Sequence, residues 1–293
     1  MAPAVAACGG GGALERPPDP YGPKVARCIA APRNLGDAAQ DAMLALPAGM
    51  AVLGSTETER SQARFDFGAS GGKLFAEEAP SRRAHVKAFR IDRTPVTQAA
   101  YAEFVGACGV IPPDTEALAE ERWNELRARF SIPYDRARID RYVWPGAKPP
   151  AERAKHPMVL VSQDDAGFYC AWRGGRLPDE IEWERASRGV QGNIYPWGNR
   201  WDPFRANTRM KKIFDTTEVG SFPKARSVEG IDDMAGNVYE WTSTPWPGSN
   251  TDYVAKGNGW DGQGGYGRGA AKLRFHAELR NVNLGFRCAA DTR

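Results

Sequence analysis

Between Ala206 and Thr242 the chain gathers oxygen-bearing side chains of the kind that suit a hard cation. Asn207, Thr208 and Asp215 fall in a stretch that reads as loop, and Gly230 to Thr242 adds Asn237 and Glu240 beside the Val238 backbone. Hard cations such as calcium need several oxygens at close range, which this set supplies. The alternative is that these Asn and Asp side chains only cap turns. The three histidines, His85, His156 and His276, are too far apart in sequence to read as one metal centre. His276, flanked by Arg274 and Arg280, is a candidate acid–base or anion-binding group, and the competing reading is a packed or solvent-facing imidazole. The five cysteines are Cys8, Cys28, Cys108, Cys170 and Cys288. Cys28 and Cys108 match no metal-binding spacing and are expected to stay apart. Gly257 to Gly262 reads G-x-G-x-x-G, but no βαβ pattern surrounds it, so it is loop and not a dinucleotide site.

The elements that must hold these groups centre on His156 to Asn199. Met158 to Val161 is an apolar run of strand type, and Ser162 with Asp165 three residues on forms a capping box. A helix from about Gln163 carries Ala166, Tyr169, Cys170 and Arg173, and stops at Gly174-Gly175. The pattern then repeats: Asp179 caps, Glu182 reaches back, Ile181, Trp183 and Ala186 form the buried face, and Arg188-Gly189 ends it. Tyr195 to Asn199 is an aromatic turn. Upstream, Met43 to Gly54 reads as two short strands joined tightly, Ser55 to Pro80 as loop and Ala84 to Arg93 as strand. Thr97 caps a helix bearing Tyr101, Phe104 and Val105 that ends near Gly106 to Gly109. Glu116 to Arg141 has Ala119, Trp123, Leu126 and Phe130 at the spacing of an amphipathic helix. Val219 to Pro223 reads as a strand and turn, and Tyr239 and Trp241 are expected on opposite faces of a later strand.

Composition sets the outer limits. The 293 residues, 42% hydrophobic and 26% charged, can bury one large core or two modest ones. A formal charge of +3, with no block of like charge, excludes nucleic acid as an expected partner. The 32 glycines, 22 prolines and 9 tryptophans favour an irregular, loop-rich α+β fold tied down by aromatic packing. No apolar run is long enough to span a bilayer. Residues 1–42 read as a flexible arm, ahead of one domain over residues 43–293. Within the arm, Val5-Ala6-Ala7-Cys8-Gly9 resembles a bacterial lipoprotein site, which would lipidate Cys8 and place the domain in the periplasm or on the outer membrane. Only seven residues precede Cys8, too few for a signal peptide, so a plain Gly/Pro-rich arm, with the cytoplasm as location, stands as the alternative.

The ordered motifs LPAGMAVLGS, FRIDRTPVTQAAYAEFV, HPMVLVSQDDAGFYCAWRGGRLPDEIEWERASRG, YPWGN, DDMAGNVYEWT and NLGFRCAAD resemble the formylglycine-generating enzyme, or sulfatase-modifying factor, family. The resemblance runs from about Met43 to Ala290 and implies a single irregular C-type-lectin-like domain stabilised by structural calcium. It implies calcium ligands at Asn207, Thr208, Asp215, Asn237, Val238 and Glu240. It also implies a disulfide between Cys170 and Cys288, and hence an oxidising compartment.

The chain departs from the family at one point. Family members that oxidise a sulfatase cysteine to formylglycine hold copper(I) between cysteines spaced C-x-x-x-x-C shortly before the closing motif. Here Tyr266 to Arg280, the equivalent stretch, contains no cysteine. Copper(I) prefers thiolates, so copper is not expected. Two readings follow. One is a non-oxidising member whose surface groove binds an extended peptide, a protein or a small molecule. The other is a modifying enzyme with replaced catalytic groups around Arg274, His276 and Trp241.

Overall fold

The computed structural model describes residues 26–28, 30, 43–68, 75–110, 125–126, 128–129 and 136–292. The helices among the described residues include α1 (Glu57–Phe67), α2 (Gln98–Cys108), α3 (Arg136–Asp140), α4 (Gln163–Trp172) and α5 (Glu180–Arg188). The strands are β1 (Met43–Leu46), β2 (Gly49–Leu53), β3 (Arg82–Val86), β4 (Phe89–Asp92), β5 (Tyr239–Pro245), β6 (Asp252–Gly257), β7 (Leu273–His276), β8 (Leu284–Gly285) and β9 (Ala289–Asp291). They form three small sheets, β1-β4-β9, β2-β3 and β7-β6-β5-β8, in which only the β5–β8 pair is parallel. This is an α+β fold in which long loops connect short elements. No helix among the described residues is long and apolar enough to cross a membrane.

Local chemistry explains where the helices begin. Ser162 accepts from the Asp165 N–H while Asp165 accepts from the Ser162 N–H, and Asp179 and Glu182 do the same for α5. Thr97 caps α2, and Gly109 ends it in the left-handed region. The apolar faces then set the packing. Tyr101 of α2 stacks on Tyr169 of α4 with centroids 5.4 Å apart, and Tyr169 meets Phe286 edge-on at 5.4 Å. Trp183 of α5 is fully buried, and its Nε1 donates to Glu240 at 2.8 Å.

Glu240 and Arg287 form the most deeply buried ion pair. Arg287 donates from Nε and Nη2 to the two Glu240 oxygens at 2.6 and 2.7 Å. Its remaining donors reach the carbonyls of Asp92, Arg93 and Asp232 at 2.9–3.2 Å. Burial works against the Arg287 charge, but Glu240 outweighs it and holds the guanidinium firmly protonated. The neighbouring Asp233 shows the opposite balance, its pKa pushed up to about 7 by burial.

Several expectations change. The run Met158 to Val161 is fully buried but is not a strand, and Leu160 takes a positive φ of 59°. β1 and β2 are strands as expected but do not pair: β1 joins β4 and β2 joins β3. Part of Ser55 to Pro80 is helix α1, started by a capping box between Thr56 and Glu59. Val219 to Ser221 is a turn and Pro223–Ala225 a 3-10 helix, so no strand forms there. Tyr239 and Trp241 share one face of β5, as the two-residue period requires, and both rings meet Phe275 edge-on. Most of the amphipathic helix expected over Glu116 to Arg141 lies outside the described residues, although Leu126 is buried and α3 lies at its end.

Cys170 and Cys288 are bonded, joining α4 to the segment between β8 and β9. Cys28 and Cys108 are also bonded, against expectation, across 80 residues of sequence. Cys28 packs half-buried against the same core that buries Cys108, a tertiary contact that spacing alone could not reveal. Disulfides of this kind belong to proteins folded in an oxidising compartment.

The Arg287 site yields a stability prediction. Glu240→Gln keeps the shape but leaves a buried guanidinium uncompensated, which should cost about 3–5 kcal/mol. Urea unfolding of the two proteins checks it, and a loss within about 0.5 kcal/mol, the range of surface substitutions, would show that Arg287 does not need its counterion.

Candidate functional site

A furrow runs between α1 and the aromatic turn after α5. Its main cavity, about 530 Å³, is lined on one side by α1 residues including Glu59, Asp66 and Phe67, and on the other by Tyr195, Arg200 and Trp201. A second hollow of about 410 Å³ shares Asn199, Arg200 and Trp201 with it and continues past Trp197. The turn is self-supporting: Tyr195 and Gly198 exchange backbone hydrogen bonds, and the Tyr195 and Trp197 rings stack at 5.5 Å. Trp201 packs against Tyr195 at 5.2 Å, Trp197 at 5.6 Å and Phe67 at 6.1 Å. Planar rings held on both walls suit flat or apolar groups. The buried Trp201 Nε1 has no hydrogen-bond acceptor among the described residues.

Small residues make the floor. The 3-10 turn Gly264–Gly267 passes directly under these rings. A Cβ on Gly264 would lie 2.5 Å from Trp201 Cε2, and one on Gly265 would lie 2.8 Å from Phe75. Next to it Arg268 pairs with buried Glu78 at 2.7 and 2.9 Å. Burial opposes the Arg268 charge, and the Glu78 hydrogen bonds outweigh it, so the pKa lies above its ordinary value. Burial raises the Tyr195 hydroxyl pKa as well, which leaves it a neutral phenol.

The oxygen-rich residues fall in a different place and only partly converge. Asn207 donates to the Asp215 carbonyl at 2.8 Å and lies 3.4 Å from Asn237 Oδ1. Among the described residues Asn207 Oδ1 and Thr208 Oγ1 are buried without a hydrogen-bond partner, so this corner has acceptor oxygens to spare for a hard cation. The Asp215 carboxylate is engaged by Arg153 at 2.7 and 2.8 Å and by Tyr142 at 2.5 Å. Burial pushes its pKa up, but those hydrogen bonds outweigh it and hold it at about 2. Glu240 belongs to Arg287 and Trp183, and Val238 is buried at the start of β5. Among the described residues no three His, Cys, Asp or Glu side chains group as a metal site.

The acid–base candidates sit on the far sheet. His276 is buried opposite Asp252 in the β6–β7 register, with its Nδ1 3.3 Å from the Glu278 N–H. Arg274 donates to Asp252 at 2.5 Å, as does Arg129 at 2.6 Å. Burial raises the Asp252 pKa, and these two arginines with His276 outweigh it and hold it down. Trp241 is buried with Nε1 donating to the Val161 carbonyl at 3.0 Å. None of Arg274, His276 and Trp241 lines the furrow.

The residues present do not fit copper(I). All four described cysteines are consumed in disulfides, which leaves no thiolate pair, and Cys8 lies outside the described residues. Sequence reasoning missed the α1 wall of the furrow, although Thr56-x-x-Glu59 carried the same capping signal that was read correctly at Ser162.

Comparison with known proteins came from three directions. A family model described as the sulfatase-modifying factor enzyme 1-like domain matches residues 31–292. The mouse (Mus musculus) inactive C-alpha-formylglycine-generating enzyme 2 is 33% identical over 297 residues, covering 90% of this chain and 90% of that protein. The mouse formylglycine-generating enzyme is 30% identical over 296 residues, covering 85% and 75%. Among solved structures, PvdO from Pseudomonas aeruginosa superposes with a TM-score of 0.62 at 24% identity, covering 85% of this chain and 94% of that one. Treponema denticola variable protein 1 gives 0.59 at 17%, covering 85% and 95%. At these identities the structures speak for the fold alone.

The furrow floor can be tested directly. Gly264→Ala forces Trp201 to move and should cost about 1–3 kcal/mol by overpacking. Thermal unfolding together with tryptophan emission checks it: an unchanged midpoint and unchanged emission would mean the floor is not packed against Trp201.

Proposed function

The chain belongs to the sulfatase-modifying factor family, and from that premise we propose that it is a non-oxidising member whose aromatic furrow binds an extended peptide or a small molecule. One observation carries this reading: every described cysteine is in a disulfide, and the stretch Tyr266 to Arg280, where the family resemblance places the thiols of oxidising members, contains no cysteine. The likeness to a mouse protein named as inactive supports it. The furrow offers rings on both walls, the carboxylates of Glu59 and Asp66 and the guanidinium of Arg200. These groups can orient a ligand without any bond being made or broken. The proposal places the protein outside the cytoplasm, where its disulfides form, with Cys8 as the site of a lipid anchor.

The same proposal assigns a structural calcium ion to the corner around Asn207. Asn207 and Thr208 would hold it through oxygens that otherwise stay unsatisfied, and Asn237 and the Asp215 loop would wall it in. Glu240 is left out, because lending it to a cation would strip Arg287 of its counterion. When bound, calcium would supply positive charge and rigidity to this corner and take no part in a reaction.

Two outcomes are expected. Incubated with copper(I), oxygen and a sulfatase-type Cys-x-Pro-x-Arg peptide, the purified chain should leave the peptide mass unchanged. Appearance of the aldehyde would overturn the non-oxidising reading and turn attention to replaced groups around Arg274, His276 and Trp241. Calcium should raise the unfolding midpoint, by about 2.7 kcal/mol of stability at a hundredfold excess over its dissociation constant. Asn207→Ala should abolish that response, and a midpoint indifferent to both calcium and chelator would remove the ion from the account.

A further inference from the structure

The loop from Phe204 to Phe214 exposes what the rest of the fold buries. Phe204 is 71% exposed, Phe214 52%, Met210 47% and Ile213 41%, whereas the other exposed large apolar side chains, Met50, Phe65, Val190 and Val228, are scattered singly along the chain. Arg205, Arg209, Lys211 and Lys212 alternate with these residues, and no acidic residue stands between Phe204 and Phe214. Arg205 is tied to Asp202 at 3.2 Å, while Arg209 and Lys212 are exposed.

The loop is held in this form. Asn207 Nδ2 donates to the Asp215 carbonyl at 2.8 Å and closes its base, and the Arg209 N–H donates to the Gly262 carbonyl at 3.1 Å. The Lys211 ammonium lies 5.7 Å from the Phe204 ring centre and 5.5 Å from that of Phe222, drawing both rings together. Lys212 and Phe214 have φ of 60° and 57°, a conformation that bulky L-residues adopt only when their surroundings impose it. Four large apolar side chains left exposed within the eleven residues from Phe204 to Phe214 mark a surface available to a partner.

The chemistry favours lipid over protein. The buried centre of a protein interface is depleted in lysine, and here Lys211 and Lys212 sit among the apolar side chains. Cations interleaved with large apolar groups suit the boundary between anionic headgroups and acyl chains. We propose that this loop seats the domain on an anionic phospholipid surface, with Ile213, Phe214, Phe204 and Met210 entering the headgroup boundary and Arg209, Lys211 and Lys212 facing phosphates. Met210 also lines the furrow, so its mouth would open beside the membrane. The proposal does not depend on what the furrow binds.

The test uses the full chain carrying Cys8→Ser, so that no acyl chain contributes, in flotation with vesicles of phosphatidylcholine alone or mixed with phosphatidylglycerol. The protein should float with the mixed vesicles only, and less as salt rises. Ile213→Ser with Phe214→Ser should abolish flotation. Arg209→Gln with Lys212→Gln, which alters only exposed charge, should weaken it about thirtyfold. Protein that stays down with both vesicle types overturns the proposal, as does flotation indifferent to both double variants. Self-association in sedimentation that Ile213→Ser with Phe214→Ser abolishes, in the absence of flotation, would also overturn it and assign the patch to a second copy of the chain.

Discussion

A guanidinium with no access to water holds the centre of this fold. Arg287 reaches the end of β4 through the Asp92 and Arg93 carbonyls, the loop before β5 through Asp232, and β5 itself through Glu240. Trp183 of α5 adds a donor to the same carboxylate. Short sheets contribute few backbone bonds each, so something else must fix how they sit relative to one another. A buried charge does this well, because any arrangement that separates it from Glu240 leaves both ions stranded in a low-dielectric interior. The Cys170–Cys288 bridge lies at the next residue, and the Cys288 N–H donates to Asp92, which also holds Arg173 at the C-terminal cap of α4. One dipeptide thus pins two sheets and two helices.

The furrow depends on that arrangement at one remove. Its α5 side is fixed because Arg188, at the end of the helix, is buried against Glu184 and donates to the carbonyls of Gly54, Gly192 and Asn193. Those carbonyls fix the start of the aromatic turn and the chain that leads into α1. Arg188 also packs where a side chain on Gly269 would stand, so the glycine-rich floor is shaped by the same residue. The rings of Tyr195, Trp197 and Trp201 are therefore presented by charged groups buried behind them.

What could be read from sequence was local. Thr97, Ser162 with Asp165, and Asp179 with Glu182 act within a single turn of helix, and each cap forms where it was expected. The two-residue strand period is equally local, and it places Tyr239 and Trp241 on one face, contrary to expectation. Partners set by the tertiary fold were not legible. Glu240 has the chemistry of a cation ligand, and nothing near it in sequence says that its counter-ion is an arginine 47 residues away. β1 and β2 have hairpin spacing, yet each pairs with a distant strand and not with the other. Cys28 and Cys108 match no pattern because a disulfide needs only proximity in space.

The cysteines give the sharpest contrast between scaffold and chemistry. A soft monovalent metal needs thiolates, and a disulfide removes two of them while constraining the unfolded chain. Here both described pairs tie distant parts of the chain, across 80 and 118 residues, and neither lies in the segment between Tyr266 and Arg280. Just before it, Gly264 and Gly265 bring the backbone beneath Trp201 and Phe75, where a Cβ would collide with a ring. A side chain on Gly264 would require Trp201 to move, and Trp201 is braced by Tyr195, Trp197 and Phe67. Close approach of the rings to the backbone at Gly264 and Gly265 is possible only because these residues have no side chains.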